Sequence, residues 1–269
     1  VTRDVSGYVH GYTPTEQERL VSQSRFLAPW VMSKIDYRSA RSVLEVGCGV
    51  GAQMALLLER FPQLTVTGID REAAQIAKAE QVLAPHVKTG RANLVLGRGE
   101  TLPFGAGAFD GGFLCWVLEH VAEPAALLGE IRRVLAPGAP LFVTEVYCGS
   151  LETHPRLPNL RTFWRAMCDY QAELGGDPNV GIRLSGLLRR AGFAEVETYP
   201  VLFEVPDGAR HEYLEYWREL MHSAAPGLVS AQKIPATLPA ALDADFAALR
   251  AAADGALTCV AMQARARVR

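Results

Sequence analysis

Glu45-Val46-Gly47-Cys48-Gly49-Val50-Gly51 sets an acid two residues ahead of three alternating glycines. Glycines at that spacing make a tight turn and let the backbone approach a ligand closely. As Gly47-x-Gly49-x-x-Ala52 the stretch matches a loop that cradles a dinucleotide's pyrophosphate, which would make the chain an NAD-dependent oxidoreductase. Read from Glu45, it suits a nucleoside that carries an α-ammonium group. A carboxylate there repels pyrophosphate and attracts the ammonium. Asp70, about 20 residues further on, can accept hydrogen bonds from two ribose hydroxyls in either case. No arginine replaces it, which argues against a 2′-phosphate.

Elements that would carry these residues follow from periodicity. Arg41–Gly47 is a short apolar run ending in glycine, a buried strand. A helix over Val50–Phe61 follows, then a second strand over Leu64–Asp70 and an Ala/Glu-rich helix. Ala92–Gly97, Phe109–Leu118 and Pro140–Val146 read as strands three to five, with a helix over Glu119–Leu135 stopped by Pro137-Gly138. Strands alternating with helices predict a parallel sheet covered on both faces, with ligands at the carboxyl ends of the strands. Residues 147–181 show no strand pattern; helical spacing of Leu160, Phe163, Trp164, Met167, Tyr170 and Leu174 predicts a helix. Ala194–Phe203 and Gly255–Ala264 complete the strands, and Thr15-x-x-Glu18 behind Pro14 reads as a capping box opening an N-terminal helix. The expected organisation is one domain. Residues 1–40 form a helical cap and 41–146 a nucleoside-binding core. Residues 147–208 are a lid insertion with a helix and the sixth strand, and 209–269 hold cap helices and the last strand.

Bulk properties narrow the function. The 269 residues carry a net charge of −2, with 49% hydrophobic and 21% charged residues. That composition is globular and offers no basic field for nucleic acid. No apolar run reaches the ~18 residues of a membrane span, and the start lacks the apolar stretch of a signal peptide. Five scattered cysteines form no CxxC pair, so neither zinc nor a disulfide framework is expected. The expected setting is cytoplasmic with reduced thiols, as a monomer or homodimer.

Further blocks carry a resemblance. Val43-Leu44-Glu45-Val46-Gly47-Cys48-Gly49-x-Gly51, Gly68-Ile69-Asp70, Leu102-Pro103-Phe104, Phe109-Asp110, Leu118-Glu119-His120-Val121 and Arg133-Val134-Leu135-x-Pro137-Gly138 occur in order. Together they resemble the class I S-adenosylmethionine-dependent methyltransferases of small-molecule type, over about residues 40–146. The resemblance implies a three-layer, doubly wound, mostly parallel seven-stranded sheet of Rossmann-like type with helical cap elements. It implies S-adenosyl-L-methionine as cofactor and a small-molecule acceptor. By the same resemblance Gly47, Cys48, Gly49 and Gly51 pack against the methionine part. Glu45 lies near its ammonium, Asp70 on the ribose and Arg71 beside the adenine. Where similar enzymes often place an acid for the adenine amino group, this chain has Arg98, which can stack but cannot accept. Gly99 and Glu100 are then the alternatives. Cys115 and Trp116 end the fourth strand near the methyl. Tyr12, in a segment similar to a tyrosine closure, would fold over the cofactor. Gln23 and Arg25 would reach its carboxylate. Arg98 also leaves room for a third reading, a non-catalytic or regulatory module that retains the cofactor fold.

Methyl transfer from a sulfonium is an in-line displacement, so the protein's part is alignment, exclusion of water and, for an alcohol or phenol, removal of a proton. His10, His120, His154, His222 and Glu145 are the base candidates, with His120 best placed at the start of the helix expected after the fourth strand. No carboxylate cluster suggests a metal. Phe163, Trp164, Tyr170, Tyr213, Tyr216 and Trp217 would make an aromatic cap, either as pocket or as helix packing.

Overall fold

The computed structural model describes residues 8–205 and 208–269. Helix α1 (Pro14–Val31) leads into β1 (Ser42–Val46), α2 (Ala52–Arg60), β2 (Thr65–Asp70), α3 (Ala73–Val82), α4 (Ala84–Lys88), β3 (Ala92–Leu96) and β4 (Gly111–Cys115). Then come a 3-10 turn (Leu118–His120), α5 (Pro124–Val134), β5 (Pro140–His154) and α6 (Pro158–Glu173). A second 3-10 turn (Val180–Arg183) precedes α7 (Leu184–Arg190), β6 (Phe193–Phe203), α8 (Arg210–Ser230), α9 (Leu238–Ala251) and β7 (Ala256–Val268).

The strands form one sheet in the order β3-β2-β1-β4-β5-β7-β6. Strands β1 to β5 pair in parallel, and β7 inserts antiparallel between β5 and β6. The expected seven-stranded, doubly wound fold is therefore present. Alternation along each strand splits the core in two. Val43, Phe113 and Phe142 face α1, α2, α6, α8 and α9, whereas Leu44, Leu114, Leu141 and Val143 face α5 and α7. Glycines make the centre close enough to pack: a Cβ on Gly112 would lie 2.9 Å from Leu141 Cδ1, and the Tyr37 hydroxyl donates to the Gly112 carbonyl.

Local chemistry sets the ends of the elements, and four differ from expectation. Thr13, not Thr15, caps α1: its hydroxyl accepts the Glu16 amide at 3.2 Å, and Pro14 fills the first helical turn, where no amide partner is needed. No helix starts at Glu119. Leu118–His120 is a single 3-10 turn, and Pro124 opens α5 separately. Strand β5 does not stop at Val146. It runs to His154 because β7 pairs with it across a bulge between Tyr147 and Glu152, reaching His154↔Ala256. Finally, the aromatic run Arg210–His222 and the alanine-rich run Phe246–Asp254 predict two short helices, whereas α8 extends to Ser230 and α9 already begins at Leu238.

Candidate active site

A cavity of about 300 Å³ lies over the carboxyl ends of β1, β2, β4 and β5. One half is built from turns. Gly47, Gly49 and Gly51 all have left-handed φ, +71°, +50° and +74°. A Cβ on Gly47 would stand 2.6 Å from Val117 Cγ2, so this glycine lets the β1 turn pack against the segment after β4. A Cβ on Gly49 would meet nothing within 4 Å, so its backbone presents an open face. Its amide donates to Asp70 Oδ2 at 2.8 Å, and Glu72 N–H donates to Oδ1 at 2.9 Å. The β2 carboxylate is thereby fixed before any ligand arrives. Glu45, only 2% exposed, lines the same half, and its Oε2 has no hydrogen-bond partner among the described residues. Burial, with Asp70 nearby, pushes the Glu45 carboxyl well above the usual range.

Trp116 follows β4 with φ +58°, a strained setting for a bulky residue, and its amide donates to the Thr144 carbonyl at 2.9 Å. Glu145 sits beneath this bend. Its Oε1 accepts the amides of Val117 and Leu118 at 3.0 and 2.8 Å, and Oε2 that of Glu119 at 3.3 Å. It braces the turn that carries His120.

The other half is a chamber between the sheet and the cap helices. Cys148 from β5 and Cys259, Val260 and Ala261 from β7 supply its floor; Trp164 and Met167 of α6 with Tyr216 and Trp217 of α8 supply walls. Trp164 is pinned by its indole N–H, which donates to the Cys148 carbonyl at 2.8 Å, and it meets Trp217 edge-on at 5.7 Å. Where the halves meet, Tyr8, His10, Arg19, Glu119, His120 and Gln171 converge.

Residues 44–143 match the methyltransferase domain family. The chain is 25% identical over 200 residues to an O-methyltransferase, resE, of Aspergillus sclerotiorum, covering 73% of this chain and 72% of that one. It is 31% identical over 137 residues to a trans-aconitate 2-methyltransferase of Acidovorax sp., covering half of each. In fold it resembles phosphoethanolamine N-methyltransferase 2 of Haemonchus contortus in complex with S-adenosyl-L-methionine. That match has a TM-score of 0.56 at 17% identity and covers 93% of this chain and 52% of that one. The matched domain and these relatives support a class I S-adenosylmethionine-dependent methyltransferase.

The cofactor of this methyltransferase is S-adenosyl-L-methionine, and the turn-built half fits it. The buried, unpartnered Glu45 oxygen calls for a donor such as an α-ammonium, and the open face at Gly49 admits close approach. Of the residues singled out from sequence, Tyr12, Gln23, Glu45, Gly47, Cys48, Gly49, Asp70, Arg71, Gly99, Glu100, Cys115, Trp116 and His120 all line the cavity.

Three lie elsewhere. Arg25 is exposed on the outer face of α1, while Arg19, Leu20, Gln23 and Ser24 face the cavity, as a 3.6-residue period requires. Gly51 turns its back to the ligand space: a Cβ there would lie 2.7 Å from Leu83 Cδ1. Arg98 is turned outward, its side chain 57% exposed and 3.7 Å from Glu100. Glu100, not Arg98, is left at the cavity.

The base candidates separate too. His154 and His222 lie outside the cavity, beside Asp254 at 3.4 Å and Asp243 at 2.9 Å. His10 is inside, but burial, then Arg19 and His120, pushes it well below the usual histidine value, and Ser223 Oγ engages its Nδ1 at 2.6 Å. Glu145 is engaged by the three backbone amides. In the aromatic cap, Trp164, Tyr216 and Trp217 face the cavity, while Phe163, Tyr170 and Tyr213 pack in or against the core.

Sequence reasoning missed Tyr8, Arg19 and Gln171. Arg19 stands one turn before Gln23 on α1 and donates to its Oε1 at 2.5 Å, so helical spacing from Gln23 would have found it. Gln171 follows Trp164 and Met167 at the same spacing on α6. No group of metal-ligating side chains occurs among the described residues, and no helix among them is long and apolar enough to cross a membrane.

Proposed function

We propose that this methyltransferase methylates a hydroxyl on a small, flat, largely apolar molecule. What carries the reading is continuity: one cavity joins the glycine turns to the aromatic chamber, with His120 where the two meet. When bound, S-adenosylmethionine supplies an electrophilic methyl on a positive sulfur. Glu45 takes its ammonium, Asp70 its ribose hydroxyls, and Tyr12, beside Arg71, closes over it. Gln23 from α1 and the Gly49 backbone bound the methionine end, and Cys115 and Trp116 the methyl end. Burial pushes the Cys115 thiol well up, so it stays protonated and serves as a wall, not a nucleophile.

Trp164, Met167, Tyr216 and Trp217 exclude water and offer flat apolar faces to the acceptor. His120 accepts the acceptor's hydroxyl proton as the oxygen attacks. An oxygen acceptor also agrees with resE, an O-methyltransferase by name. Among the described residues the chamber's mouth offers Arg19, whose charge Glu16 neutralises through hydrogen bonds of 2.7 and 2.6 Å, which favours an uncharged acceptor.

Two experiments test this. Calorimetry should detect S-adenosylhomocysteine binding. The protein with S-adenosylmethionine is then given small phenols, enols, carboxylic acids and amines in parallel, and methylated products are read by mass spectrometry. Transfer to a phenol or enol is expected. Transfer to amines alone, or to none of the four, overturns the acceptor assignment.

A further inference from the structure

We infer that Glu119 is a positioning residue that fixes the tautomer of His120, with the proton on Nε2 and the basic lone pair on Nδ1. This rests on the reading of His120 as the base. The argument starts at Gln171 on α6. Its amide nitrogen approaches three groups: Glu119 Oε2 at 2.8 Å, the Glu119 carbonyl at 3.3 Å and His120 Nδ1 at 3.4 Å. An amide nitrogen has two protons. The two oxygens take them, both as acceptors that cannot donate, and this also settles which end of the amide faces inward. Nδ1 is therefore left without a proton from Gln171.

The same contact sets the Glu119 carboxylate. With Oε2 held by Gln171, Oε1 faces His120 Nε2 at 3.6 Å. That separation is longer than a hydrogen bond, yet its electrostatics are one-sided. A ring N–H aimed at a carboxylate is attracted, and a lone pair aimed at it is repelled. Beneath, burial and Glu119 push the Glu145 carboxyl up to about 8, and its two oxygens are taken by the amides of Val117, Leu118 and Glu119. Among the described residues, the ring of Tyr8, edge-on at 5.2 Å, and His10, which Ser223 engages, also stand near His120. Neither competes for Nε2.

Glutamine at position 119 makes a sharp test. Gln171 would bind the new carbonyl oxygen and leave the new amide N–H group facing Nε2. The tautomer should flip. Long-range ¹⁵N–¹H correlation spectra of the free protein at mildly alkaline pH report each ring nitrogen directly. The chain has six histidines, and the signals lost in H120N assign this one.

The wild type should show protonated Nε2, and E119Q protonated Nδ1. An Nδ1–H tautomer in the wild type overturns the inference, whether or not E119Q folds. So does the same tautomer in both proteins. E119D, which keeps the charge, should retain Nε2–H. Failure of the base reading would show separately, as methyl transfer retained in H120N, which leaves the tautomer result untouched.

Discussion

The Gly49 amide donates to Asp70 Oδ2 across 2.8 Å, tying the turn after β1 to the end of β2. Two parts of the cavity proposed to hold the cofactor are thus tied together. Each Asp70 oxygen already holds one backbone amide and keeps lone-pair capacity for a hydroxyl. D70A removes both functions. Hydrogen bonds to a charged group are worth about 1.5–3 kcal/mol, so S-adenosylhomocysteine affinity should fall at least tenfold by calorimetry. Unchanged affinity would place the ribose elsewhere.

Glu45 predicts a proton count. Burial and Asp70 raise its carboxyl well above the usual value, so it is neutral in the free protein at mildly acidic pH. An α-ammonium ligand favours the carboxylate, and binding should release the proton. Calorimetry of S-adenosylhomocysteine at about pH 6 in buffers of differing ionisation enthalpy measures this release. Affinity should rise with pH in the wild type, and E45Q should abolish both the release and that rise. A buffer-independent binding heat in the wild type would remove Glu45 from the ammonium site.

Two glycines of one turn should fail differently. Alanine in left-handed backbone costs roughly 1–2 kcal/mol, and both positions incur it. G51A adds a clash with Leu83 and Ala79, so it should lower the melting temperature most. At Gly49 a Cβ would meet no atom of the described residues within 4 Å, so G49A should fold but bind S-adenosylhomocysteine poorly. Equal binding losses in both folded variants would contradict the assignment of Gly49 to the ligand face and Gly51 to α3.

Glu145 links the site to stability. Burial and Glu119 push its folded carboxyl up to about 8, above the free-chain value of about 4.3. The neutral form therefore favours folding. Its contribution is full below the free-chain value and declines as pH rises toward 8. Thermal melts from about pH 5 to pH 9 should show this decline, and E145Q, which cannot ionise, should flatten it. E145Q should also weaken the turn after β4, because one carbonyl oxygen replaces two acceptors for the amides of Val117, Leu118 and Glu119. An identical pH slope in both proteins would refute the linkage.

Where sequence was informative, local chemistry and global fold agreed. The β1 run, the glycine turn and Asp70 each signal their role within a few residues. The continuation of β5 did not. Gly149, Ser150, Glu152 and Thr153 break alternation, and it is pairing with β7, over 100 residues later, that resumes at Glu152 beyond the bulge and carries the strand on through Thr153. Arg98 illustrates another limit: its position relative to the third strand is legible, but its outward turn toward Glu100 depends on side-chain direction. From sequence, Glu145 reads as a base candidate. That it braces three amides beneath His120 emerges only when β4 and β5 lie side by side.

Strands β5 and β7 run past the core and continue under the chamber proposed for the acceptor, where Cys148, Cys259, Val260 and Ala261 form the floor. Acceptor choice and the folding of the sheet are therefore written in the same residues. The walls on α6 and α8 can be recut with little risk to the scaffold, whereas each change to the floor must also keep an antiparallel ladder in register. Attempts to redirect this enzyme toward new acceptors should meet their hardest trade-offs at these floor positions.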